Sequence, residues 1–61
     1  MQQIARLEVR FALKVWLASE TRTMERLETL VRHLCEVHAR DEDYTQQAIH
    51  EATHLAERQL Q

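Results

Sequence analysis

The sequence predicts an all-α protein, in which an antiparallel helical hairpin and an additional N-terminal helix assemble as a helical bundle. Its 61 residues include 0 Gly and 0 Pro, the two residue types that most often interrupt a helix. Apolar residues recur at helical spacing in three stretches, which polar segments separate. We therefore expect a single helical domain, residues 1–61, with helices at about 2–18, 23–38 and 42–60.

Helix 1 is the most apolar part of the chain, because eleven of the fifteen residues from Ile4 to Ala18 are apolar. At about 100° per residue, most of them form two groups on different sides of the helix. The first apolar group holds Ile4, Leu7, Phe11, Val15 and Ala18, and the second holds Ala5, Val9, Ala12, Leu13 and Trp16. A helix of this kind needs cover on more than one side, so we predict that helix 1 also contacts another chain.

The predicted contact surface of helix 1 combines apolar anchors with a basic strip. Large apolar and aromatic side chains contribute most to interfaces of this kind. The basic strip repeats every fourth residue, which places its members on one face, either as a solvated surface or as a docking strip for an acidic partner. The anchors are Leu7, Phe11, Trp16 and Leu17, and the strip is Arg6, Arg10 and Lys14.

Two polar segments separate the helices. Residues 19–23 contain Ser and Thr, which favour helix caps, but nothing there forces a turn, so helix 1 running on into helix 2 is an alternative. Residues 39–43 are a stronger break, because Asp41 can cap a third helix whose first turn is acidic; Asp43 with Gln46 is the second choice.

Helices 2 and 3 are each amphipathic, and their short connection predicts an antiparallel hairpin. The apolar arc of helix 2 is predicted to end with Val37 and His38, and His38 is expected at the edge of the core with one ring nitrogen in water. The apolar arc of helix 3 includes three alanines, which allow a neighbouring helix to approach closely. These are Ala48, Ala52 and Ala56.

Residues 50–54 match the H-E-x-x-H pattern, in which two histidines one turn apart bind zinc in metalloproteases. Both His50 and His54 fall on the polar arc of helix 3, and 61 residues do not supply the lobes of a peptidase. The Cys35, His38, His50, His54 spacing is similar to that of a zinc finger, but the helices place the two pairs on different faces. The alternative function is therefore a metal-binding bundle with an interchain zinc site formed by His50, His54 and Glu57.

Length and composition favour a non-enzymatic interaction module, such as an adaptor, a co-chaperone or a small inhibitor. A chain of this size usually needs a disulfide, a metal or oligomerisation, and a single cysteine excludes an intrachain disulfide. We expect a homo-oligomer, a dimer or larger, or a protein partner, with no cofactor. The net charge of -2 argues against nucleic acid, and no run reaches the roughly 18 residues of a membrane span. The lone Cys35 and no visible signal peptide predict a cytoplasmic protein.

Several short motifs resemble the small co-chaperones of the type III secretion needle subunit. They are Leu7-Glu8 near the start, Tyr44 opening the last helix, and Ala52-x3-Ala56-Glu57-x2-Leu60 closing it. The resemblance implies a non-enzymatic helical protein that, with a helical-repeat chaperone, sequesters a needle subunit. The chain departs from that family in having no Gly or Pro before the tyrosine, and its spacing from Tyr44 to Ala52 is one residue short.

Overall fold

The computed structural model describes residues 4–59 and contains three α-helices in that range: α1 (Leu7–Ala18), α2 (Met24–Val37) and α3 (Glu42–Gln59). Each helix packs against both others. The prediction of an all-α bundle built around a hairpin is therefore confirmed. None of these three helices is long and apolar enough to cross a membrane.

The first helix begins at Leu7, later than the predicted start near residue 2. Arg6 precedes it in extended conformation, with φ -113° and ψ 133°, and its side chain makes no capping hydrogen bond. None of the described residues before Leu7 is a Ser, Thr, Asp or Asn that could cap the helix. The predicted residues 2 and 3, and residue 60 at the end of helix 3, lie outside the described residues.

Residues 19–23 break the chain between α1 and α2, so the continuous-helix alternative is wrong. The Thr23 hydroxyl accepts a hydrogen bond from the Arg26 amide at 3.2 Å and caps α2. The Trp16 indole N–H donates to the Thr23 carbonyl at 2.8 Å, which fixes the turn against α1. One buried tryptophan thus ties the end of one helix to the start of the next.

The second connection follows the prediction more closely. The Tyr44 amide donates to the Asp41 carboxylate at 2.7 Å, so Asp41 caps α3 as expected. At the end of α2, the Arg40 amide donates to the Cys35 carbonyl and the Ala39 amide to the Glu36 carbonyl, which is the Schellman pattern. Ala39 has φ 56°, the left-handed conformation that glycine adopts most easily.

We expect Ala39→Gly to stabilise the protein by about 1 kcal/mol, because glycine carries no Cβ that opposes left-handed backbone. Thermal unfolding followed by circular dichroism should show a midpoint several degrees higher, about 4–8 °C. The control is Ala18→Gly at the end of α1, where no positive φ is present and glycine should lower the midpoint. A drop in the Ala39→Gly midpoint would contradict the role assigned to this turn.

The core lies where the three helices meet, and small residues allow close contact. Alanines contribute four of its eleven buried side chains. Val37, predicted to belong to the buried arc of α2, is instead 65% exposed, because it is the last residue of that helix. The core consists of Val9, Ala12, Leu13, Trp16, Leu27, Val31, Cys35, Ala48, Ile49, Ala52 and Ala56.

Candidate functional site

The inner side of α1 is buried in the core of its own chain. Val9, Ala12 and Trp16 have no exposed surface, and the Trp16 indole is hydrogen bonded to Thr23. Trp16 is therefore enclosed within its own chain, contrary to the prediction that it anchors a contact with another chain. Of the second apolar group, only Ala5 is exposed.

The outer side of α1 carries large apolar side chains that remain accessible. Leu7, Phe11 and Val15 are 49%, 45% and 49% exposed, and they follow one another at every fourth residue. This spacing places them on one face, about one turn apart. We call these three residues the outer row. Ala18, exposed one turn further on, extends the same face.

The predicted basic strip is divided in the structure. Arg6 reaches α3, where one guanidinium nitrogen donates to the Gln47 side chain at 2.6 Å and another lies 3.5 Å from Glu51. Its guanidinium also lies 5.3 Å from the centre of the Tyr44 ring. Arg6 is therefore committed to its own chain and is not part of a docking strip, which leaves Arg10 and Lys14 exposed between the outer row and Leu17.

A buried carboxylate lies at the start of α1. The Glu8 side chain has no exposed surface, and its two oxygens contact three side chains from the α2–α3 connection and the start of α3. Tyr44 donates its hydroxyl to one oxygen at 2.6 Å. Arg40 Nε lies 2.8 Å and His38 Nδ1 2.7 Å from the other oxygen. We call these four residues the Glu8 cluster.

The hydrogen bonds keep Glu8 ionised although it is buried. Burial raises the pKa of the carboxyl group, but the donors Tyr44, Arg40 and His38 outweigh it and lower the pKa from 4.5 to about 2. An ionised carboxylate carries no proton, so the proton in the His38 contact belongs to Nδ1. The same carboxylate raises the pKa of the Tyr44 hydroxyl, mainly through their hydrogen bond.

The Glu8 cluster is arranged as a tertiary anchor. Arg40 also stacks on Tyr44, with its guanidinium 4.4 Å from the ring centre. The carboxylate oxygens accept from three side chains, and each donor is directed at this one group. The cluster thus joins the first turn of α1 to the α2–α3 connection and fixes which side of α1 faces the core.

Sequence patterns did not identify this cluster, although one signal was available. Glu8 lies between the two apolar groups on the α1 surface, and it is the only carboxylate from Ile4 to Ala18. A lone carboxylate at the border of two apolar groups indicates a partner for it in the core. The partners themselves are 30 to 36 residues away along the chain, beyond any helical periodicity.

The residues predicted to bind metal do not meet within the chain. His50, His54 and Glu57 are exposed on α3, whereas Cys35 is buried in the core and His38 is bound to Glu8. Among residues 4–59, no three His, Cys, Asp or Glu side chains are grouped to hold an ion. An interchain zinc site would need ligands from a second copy, and it stays a prediction.

Cys35 is a packing residue in this fold. Its thiol is buried, and burial is the main cause of a raised pKa, so it remains protonated at neutral pH. His38, one turn further along, is turned towards Glu8. The protonated thiol is a poor nucleophile and a poor metal ligand.

Comparison with known proteins found no relative of this chain. The chain matches no protein-family model, no curated protein and no solved structure. Two of the residues on which the co-chaperone resemblance depends, Glu8 and Tyr44, are in direct contact. The resemblance itself stays a prediction, and the candidate functional site is the outer surface of α1.

Proposed function

We propose that this chain is a non-enzymatic helical interaction module that self-associates through the outer row of α1. The observation that carries the proposal is the exposure of Leu7, Phe11 and Val15, all close to half, on one face of the most apolar helix. Scattered apolar residues are normal on protein surfaces, whereas a contiguous apolar face is typical of an interaction site.

The size of the chain favours a second copy as the occupant of this face. A 61-residue domain buries only about 60% of its unfolded surface and is marginally stable alone. One cysteine excludes an intrachain disulfide, so oligomerisation is a direct way to gain stability. Fully burying one such side chain contributes about 1.5–3 kcal/mol, and roughly half of that remains available at each half-exposed position.

A charge in the outer row tests the proposal without replacing a side chain of the buried core. Phe11 lies at the centre of the row, about 140° around α1 from Trp16, and it is not one of the buried core side chains. Phe11→Asp places a charge where the second copy would pack, and burying an unpaired charge is strongly unfavourable. Phe11→Leu keeps the position apolar.

Light scattering after size exclusion tests the proposal over a wide range of protein concentrations. We expect the unaltered chain and Phe11→Leu to reach at least twice the 7.3 kDa of one chain, and Phe11→Asp to remain at 7.3 kDa while keeping its helical circular dichroism. Thr29→Asp, on the exposed side of α2, is the control for an added charge and should assemble normally.

Two results would contradict self-association through α1. The unaltered chain could stay at the mass of one copy at every concentration, or Phe11→Asp could assemble as well as the unaltered chain. Repeating the run with zinc and with a chelator distinguishes self-association through α1 from the competing hypothesis, an interchain zinc site at His50, His54 and Glu57. The proposal requires the same mass with zinc and with the chelator.

We also propose that the protein is cytoplasmic, because a single buried thiol suits a reducing compartment.

A further inference from the structure

A groove of about 700 Å³ lies between α1 and the C-terminal part of α3. Leucine side chains line it from both helices: Leu13 is buried at its base, Leu55 is half-buried, and Leu17 is 43% exposed. A concave apolar surface of this volume is within the range of ligand-binding clefts. The groove is distinct from the outer row, since Arg10 and Lys14 lie between them on the surface of α1.

The charge of the groove has one sign. Arg10 and Lys14 line it from α1, and Arg58 lines it from α3. None of the lining residues in the described part of the chain is acidic. Glu57, on the last turns of α3, is not among the lining residues, and Glu51, one turn before Leu55, is paired with Arg6. An apolar base between cations on both walls is complementary to a ligand that is apolar on one side and acidic on both flanks.

We propose that this groove docks an acidic amphipathic helix of another protein. Helices bind in such grooves through apolar side chains spaced every third or fourth residue, while charges along the edge set orientation and specificity. Three separated cations fit several carboxylates along a helix better than the single carboxylate of a fatty acid, which would leave two of them unpaired. Arg10 and Lys14, one turn apart, match acidic residues at the same spacing.

The probe is a synthetic fluorescent peptide of about five helical turns, with leucines on one face and glutamates on both flanks. Anisotropy measures its binding to the full chain. We expect Lys14→Glu to weaken binding at least about tenfold and Leu17→Ser to weaken it several-fold. The matched control, Arg26→Glu, is an exposed arginine on α2 away from the groove and should bind within about twofold of the unaltered chain.

Four results would overturn the proposal. The peptide could fail to bind, a scrambled peptide of the same composition could bind equally well, Arg26→Glu could weaken binding as much as Lys14→Glu, or oleate could displace the peptide and bind more tightly. Light scattering on the same variants separates the two surfaces. Leu17→Ser, on the groove side of Arg10 and Lys14, should assemble like the unaltered chain, and its failure to do so would assign the groove to the second copy.

Discussion

Trp16→Ala is expected to unfold the protein. The side chain has no exposed surface, and its indole N–H holds the turn before α2 through the Thr23 carbonyl. Truncating a buried tryptophan costs about 3–5 kcal/mol, and a single copy of this marginal size has only the lower part of the about 3–9 kcal/mol that its length allows. Circular dichroism at room temperature should show most of the helical signal lost.

The comparison variant for this position is Trp16→Phe. It keeps most of the buried volume and loses the hydrogen bond, so it should remain folded and be destabilised by about 1–2 kcal/mol. The sequence pattern assigned Trp16 to an interface instead. A folded, fully helical Trp16→Ala chain that had lost only its assembly would support that assignment and refute the burial described here.

Glu8→Gln is expected to cost about 2–3 kcal/mol, because the three donors of the Glu8 cluster lose a charged acceptor. It should also change the acid dependence of stability. The folded pKa of Glu8 is about 2 and the ordinary value is 4.5, so the carboxylate stabilises the fold above about pH 4.5. That stabilisation, about 3 kcal/mol, is lost as the pH falls from 4.5 to 2.

Urea unfolding at a series of pH values measures both effects. The free energy of unfolding of the unaltered chain should fall steeply below pH 4.5. That of Glu8→Gln should be lower at neutral pH and should fall less between pH 4.5 and 2. Glu57→Gln, an exposed glutamate on α3, is the control and should leave the profile unchanged. If Glu8→Gln and the unaltered chain showed the same profile, the Glu8 cluster would not be the anchor of α1.

Local sequence patterns were sufficient to predict the three helices and the N-terminal cap of α3. The absence of Gly and Pro, the 3.6-residue periodicity and Asp41 before an acidic first turn all act within a few residues, and the structure agrees with them. The start of α1 was predicted too early, because apolar periodicity continues back to Ile4 although no residue there caps the helix.

The orientation of α1 required information that periodicity does not contain. Both apolar groups of this helix are large enough to form a core, and Phe11 is as suitable a core residue as Trp16. Three features together place the Trp16 side of α1 inwards: packing against the small alanines of α3, the hydrogen bond to the Thr23 carbonyl, and the Glu8 cluster. All of these contacts depend on later parts of the chain, so only the tertiary structure identifies the outer row.

The central claim is that the outer row of α1 becomes buried when two copies associate. The most direct test is the rate at which a thiol reagent labels Val15→Cys in a Cys35→Ala background, measured at increasing protein concentration. We predict that labelling slows as the concentration rises, while His50→Cys, exposed on α3, is labelled at a constant rate. A Val15→Cys rate that is independent of concentration would contradict self-association through α1.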